Sequence, residues 1–137
     1  MSDFLETMAA NSAARAATVS PHFSSADFEL PVVPLAPKSF DVIAEIKERS
    51  PAEGVLRSGD NDRVSRAQTY AAAGSLAISV LTEPSRFDGD IAHLIEVAAA
   101  VPGTTVMGKA FLVEPVLVHV ARKAGASGGL LCATLLS

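Results

Sequence analysis

From residue 40 onward the chain switches between short, nearly continuous apolar runs and longer stretches in which apolar residues recur every three or four positions. The first kind suits a buried strand, the second an amphipathic helix. Val42 to Lys47 reads as a first strand, and Asp62 to Ala73 as a helix with Asn61 or Asp60 as its cap and Gly74 as its stop. Leu76 to Leu81 is a second strand, and Ile91 to Val101 a helix with Ile91, Leu94, Ile95 and Ala98 on one face, ended by Pro102 and Gly103. Thr104 to Met107 reads as a third strand, Glu114 to Ala124 as a third helix with Pro115 at a permitted early position, and Gly129 to Cys132 as a fourth strand. Ahead of this series, Met1 to about Ser20 reads as a leading helix with Phe4, Leu5 and Met8 on one stripe. Pro21 to Lys38 holds four prolines, which deny helix and central strand alike. The expected division is therefore a lead-in over 1–39 and a regular unit over 40–137.

Four strands with three intervening helices, in units of about 30 residues, predict right-handed βαβ connections and a parallel sheet. A doubly wound nucleotide-binding sheet would carry a glycine-rich turn after its first strand. Ser50-Pro51-Ala52-Glu53-Gly54 offers one glycine and a proline instead. The expected class is α/β of the parallel (β/α)8 barrel type. A full barrel takes about 250 residues, so these four βα units make about half of one.

Composition narrows the partners. The 137 residues are 49% apolar, enough for a core, and a net charge of −4 without a Lys/Arg cluster argues against nucleic acid and anionic membranes. Cys132 is the only cysteine and has no disulfide partner or neighbouring metal ligands, which fits a reducing cytoplasm. No signal peptide or spanning segment is evident, so a soluble cytoplasmic protein is expected.

Chemistry concentrates at strand ends. Glu45 and Lys47 share one face of the first strand while Ala44 and Ile46 share the other, and the punctuated loop that follows is where parallel α/β folds place catalytic groups. A plain ion pair is the competing reading. Thr82 and Glu83 end the second strand and Lys109 the third, so these groups are expected to meet at one mouth, where lysines can bind an anion or move protons. Phe87 and Phe111 are candidates to wall an aromatic substrate. His22, His93 and His119 lack neighbours at ligand spacing and read as structural or solvated, with no metal expected. Gly125 to Gly129 reads as a tight turn into the fourth strand.

Val42-Ile43-Ala44-Glu45-Ile46-Lys47, Ser50-Pro51 with Gly54, Ala77 to Glu83 with Phe87-Asp88-Gly89, and Lys109-Ala110-Phe111-Leu112-Val113-Glu114-Pro115 occur in that order. Together they resemble indole-3-glycerol phosphate synthase from about Phe40 onward, over the first half of that family's barrel. The lead-in stands where the family carries an extra N-terminal helix. The resemblance implies a cofactor-free carboxy-lyase of tryptophan biosynthesis, closing the ring of 1-(2-carboxyphenylamino)-1-deoxyribulose 5-phosphate with loss of carbon dioxide and water. It implies Lys109 as general acid, Lys47 as a substrate-contacting cation, Glu45 as the active-site glutamate, and Ser50, Phe87 and Phe111 as substrate-binding residues. The chain has Ala110 where the family has Asp. The family's fifth-strand glutamate, sixth-strand polar groups and phosphate loops have no counterpart in these residues. Two further expectations stand beside the enzyme: a non-catalytic half-barrel that acts as a binding or assembly module, and a barrel enzyme forming a Schiff base through Lys47 or Lys109. A homodimer or a complementary half-barrel chain is the expected macromolecular partner.

Overall fold

In the computed structural model, which describes residues 2–57 and 62–136, the chain alternates strand and helix as its periodicity dictates. A leading helix α1 (Ser2–Ala16) is followed by an irregular strap with one short 3-10 turn at Ser25–Phe28. Next come β1 (Ile43–Ile46), a two-strand hairpin of β2 (Arg49–Ser50) and β3 (Gly54–Val55), α2 (Asp62–Ala72), β4 (Ala77–Leu81), α3 (Ile91–Ala100), β5 (Thr105–Lys109), α4 (Pro115–Lys123) and β6 (Gly128–Leu130). The hairpin was not foreseen from sequence. Strands of two residues are too short to show a period, and Gly54 at φ +74° allows the turn to close.

Strand order settles the architecture. The four long-range strands lie β1-β4-β5-β6, all parallel, each new strand adding to the same side of the last. That monotonic order is the winding of a barrel, because a doubly wound sheet reverses direction at a switch point. Helices α2, α3 and α4 pack on the sheet, where Ile46, Ile78, Val80 and Val106 meet Ala67, Leu94, Val97, Ala121 and Ala124 in one buried cluster. Gly108 marks this helix-facing side. A Cβ on it would lie 3.3 Å from the Ala121 methyl and 3.5 Å from Leu94 Cδ2, so a larger residue would push α3 and α4 away. A fully buried Leu, Ile or Val contributes about 1.5–3 kcal/mol, so this layer carries most of the unit's stability.

The helix boundaries follow their local signals. Asp90 caps α3 by accepting a 2.8 Å bond from the Ala92 N–H. Pro115 opens α4, and Gly74 at φ +83° follows α2 as its stop. The cap expected at Asn61 or Asp60 lies outside the described residues. β5 runs two residues further than its apolar pattern suggested, reaching Lys109, and β6 starts one residue earlier, at Gly128. α1 stops at Ala16, short of the expected Ser20.

The proline-rich segment is fastened to the barrel unit. Arg122 donates to the carbonyls of Phe28, at 3.3 Å, and Leu30, while Lys123 pairs with Asp27 at 2.8 Å. Thr105 Oγ1 lies 3.0 Å from the carbonyl of Val33 and 3.1 Å from that of Pro34, and Ser127 Oγ accepts from the Val33 N–H. The exposed His119 ring packs among Phe23 and Phe28, with centroids 5.2 and 5.7 Å away, which agrees with its structural reading.

Both edges of the sheet are open in the described chain. β1 pairs only with β4, and β6 only with β5. Around these edges Phe40, Val42, Ile43, Leu130 and Leu131 are exposed, Phe40 at 85%.

Candidate active site

Register decides which side chains share the sheet face opposite the helices. Residues paired across parallel strands point the same way, so Glu45, Ser79 and Met107 form one row and Leu81 and Lys109 the next. Lys47 follows Glu45 by two residues and takes the same side. Because Gly108 faces the helices, its neighbours Met107 and Lys109 face away from them, into the concave side of a barrel.

Three of the expected site residues meet there. Lys109 Nζ donates to Glu45 Oε1 at 2.6 Å, and Lys47 Nζ lies 2.9 Å from Glu45 Oε2. Each carboxylate oxygen therefore holds one ammonium group. Burial pushes the Glu45 carboxyl upward, but the hydrogen bonds from Lys109 and Lys47 outweigh it and hold the group below its ordinary 4.5. The triangle carries two positive charges and one negative. Its surplus is a single positive charge on a partly open surface, suited to an anionic group.

Phe87 and Phe111 stand close together, with ring centroids 6.4 Å apart at 45°. Phe111 is the second residue beyond Lys109, so its ring lies at the same strand end. Ser50 sits in the hairpin after β1, where its Oγ accepts from the Glu53 N–H at 3.0 Å and closes the turn. That bond fixes the loop beside Lys47. Arg49 and Asp88, 3.9 Å apart, span from this hairpin to the loop after β4.

Glu83 serves a different purpose from the one its strand-end position suggested. Its side chain is 0% exposed, and Arg15 of α1 binds it in a fork of 2.9 and 2.5 Å, with the Ser85 N–H adding a bond at 3.2 Å. Ser12 donates to the Phe111 carbonyl, and Asn11 Nδ2 to Ser85 Oγ at 3.2 Å. Phe4 sets its ring edge-on to Phe111 at 6.3 Å, with the Arg86 guanidinium 5.7 Å from its centre. The leading helix is thus bolted to the loops after β4 and β5, next to the aromatic pair. Sequence reasoning missed this role. The stripe of Phe4 and Met8 continues at helical spacing to Ser12 and Arg15, and polar residues prolonging an apolar stripe were the available signal.

A second charged group lies on the helix side of β1. Glu48, buried, accepts from Arg63 at 2.8 Å, and Arg63 also bonds Glu96 at 2.7 Å. Lys47 and Glu48 thus point to opposite faces, with Glu48 anchored to α2 and α3. Nearby, burial and then the Arg63 charge lower the pKa of His93, whose Nδ1 is buried without a partner among the described residues. Among those residues no three His, Cys, Asp or Glu groups are arranged to hold a metal, and no helix is long and apolar enough to cross a membrane.

A singly wound parallel sheet with helices on one side and ionisable groups gathered at strand C-termini on the other defines the class as α/β, a portion of a (β/α)8 barrel. Within that class, the chain belongs to the indole-3-glycerol phosphate synthase family, whose profile matches residues 8–137. An indole-3-glycerol phosphate synthase of Salinibacter ruber is 41% identical over 102 residues, covering 74% of this chain and 37% of the relative. One from Acaryochloris marina is 42% identical over 96 residues, covering 70% of this chain and 31% of the relative. One from a Nocardioides species reaches 49% over 85 residues, which is 62% of this chain and 32% of the relative. The chain spans about a third of the length of the relatives it matches.

Proposed function

We propose that this chain supplies the first half of an indole-3-glycerol phosphate synthase active site in the cytoplasm, and that the activity requires the later βα units. The observation carrying this reading is the convergence of Lys47, the residue just past β1, and Lys109, the last residue of β5, on the single carboxylate of Glu45. Ring closure joins the carboxylate-bearing ring carbon of the substrate to its ketone carbon. Lys109 donates a proton to the ketone oxygen as that bond forms, carbon dioxide leaves with restoration of the aromatic ring, and the new hydroxyl takes a proton and departs as water while the adjacent ring CH2 gives one up to form the indole double bond. Lys47 holds the substrate's negative charge, while Glu45 orients both ammonium groups before substrate arrives. Phe87 and Phe111 flank the substrate's ring, and Ser50 contacts it from the hairpin. No cofactor takes part.

The lead-in over 1–39 acts as a clasp on the half-barrel of 40–137, and the exposed edges β1 and β6 are where a complementary half-barrel chain or a second copy docks. Apolar exposure at Phe40, Ile43, Leu130 and Leu131 supports that partner. Ala110, where the family has Asp, leaves Lys109 oriented by Glu45 in this chain. The test is to co-express the chain with the four later βα units of a relative and follow indole-3-glycerol phosphate by fluorescence. Lys109→Ala should lower turnover about 10²–10⁴-fold, as loss of a general acid does. Unchanged turnover in that variant would remove Lys109 from the mechanism, and a stable but inactive assembly would favour a non-catalytic binding module.

A further inference from the structure

On the sheet face opposite the helices, one buried hydroxyl has no hydrogen-bond partner among the described residues. Ser79 lies in the middle of β4, 4% exposed, and its Oγ is buried with no hydrogen-bond partner among the described residues. Register sets it directly between Glu45 and Met107, one step below Lys109 and on the same side of the sheet. Neighbouring strands run about 4.8 Å apart, so the hydroxyl is on the floor beneath the two lysines and their shared carboxylate. Alanine occupies comparable strand positions here, at Ala44 and Ala77, and would carry no desolvation penalty. A buried hydroxyl left unpaired is costly, and such exceptions concentrate where a ligand completes them.

We propose that Ser79 is a further substrate-contacting residue, its hydroxyl donating to an oxygen of the anionic substrate seated on the Glu45, Lys47 and Lys109 triangle. The triangle's surplus positive charge attracts the anion, and a neutral donor beneath it adds direction without altering the charge balance. Ser79 takes no proton and forms no covalent bond. The inference rests on the ring-closing reading for the identity of the substrate, whereas the unpaired hydroxyl is a feature of the chain itself.

Two measurements test it. In the chain as it stands, the urea midpoint of Ser79→Ala at fixed protein concentration should equal or exceed the parent's. A lower midpoint would show that the hydroxyl has a structural partner and would overturn the proposal. In the assembly with the later βα units, stopped-flow binding of 1-(2-carboxyphenylamino)-1-deoxyribulose 5-phosphate should weaken about ten- to a hundredfold in Ser79→Ala, the loss of one hydrogen bond to a charged acceptor. Ser79→Thr, which keeps the hydroxyl, should bind like the parent. Unchanged affinity in Ser79→Ala would refute the contact. An assembly that binds in this pattern but does not turn over would sink the ring-closing reading and leave Ser79 in place.

Discussion

Replacing Arg15 with Met separates the clasp from the sheet with little change in side-chain length. Glu83 would then be a carboxylate with no exposed surface and, among the described residues, only the Ser85 N–H as donor. Removing one partner of a buried ion pair costs about 3–5 kcal/mol, chiefly because the other charge stays desolvated. Arg15 is one-third exposed, so part of its attraction is already screened by water. Discounting by that fraction gives a loss of about 2–3 kcal/mol. Urea denaturation followed by circular dichroism, at one protein concentration so that self-association does not shift the midpoint, measures it. The double variant Arg15→Met with Glu83→Gln should recover more than half the loss, because glutamine keeps the shape without the charge. A loss below about 1 kcal/mol would place the pair among ordinary surface bridges, and the clasp would then have to rest on Ser12 and Phe4 instead.

Gly89→Ala should destabilise the chain by about 1–3 kcal/mol, the range for overpacking, since the added Cβ would lie 2.6 Å from the Glu83 carbonyl oxygen; a midpoint equal to the parent's would show that this backbone yields freely. Carbon-detected titration of Glu45 should give a midpoint below 4.5, and Lys109→Met should raise it, because burial is then opposed by Lys47 alone; no movement would mean that the 2.6 Å contact is not maintained in solution. Asp27, held at about 2 by Lys123 and the Ser24 N–H against an ordinary 3.8, takes up its proton at lower pH in the folded than in the unfolded chain. Its stabilising effect is present above pH 3.8 and fades as pH falls toward 2, so Lys123→Ala should flatten that part of the acid-unfolding curve, and an unaltered slope would exclude the pair as its source.

What the sequence determined by itself was whatever depends on neighbours a few residues away. The period of two placed Glu45 and Lys47 on one face, the period of 3.6 located three helices, and Gly74 and Pro115 marked where helices stop and start. Short motifs in order identified the family. The two-residue strands β2 and β3 escaped, being too short for any period. Tertiary structure alone decided which strands are adjacent, and thereby that a lysine from β5 and the one just past β1 share a carboxylate 64 positions away from the former. It also turned Glu83 from an expected mouth residue into the anchor of α1, across 68 positions, and left the Ser79 hydroxyl without a partner among the described residues although Ile78 and Val80 beside it pack fully. Local sequence sets which way a side chain points along its own element; whether it meets a charge, a ring or nothing depends on chain brought from far away, and that is settled only when the sheet is wound.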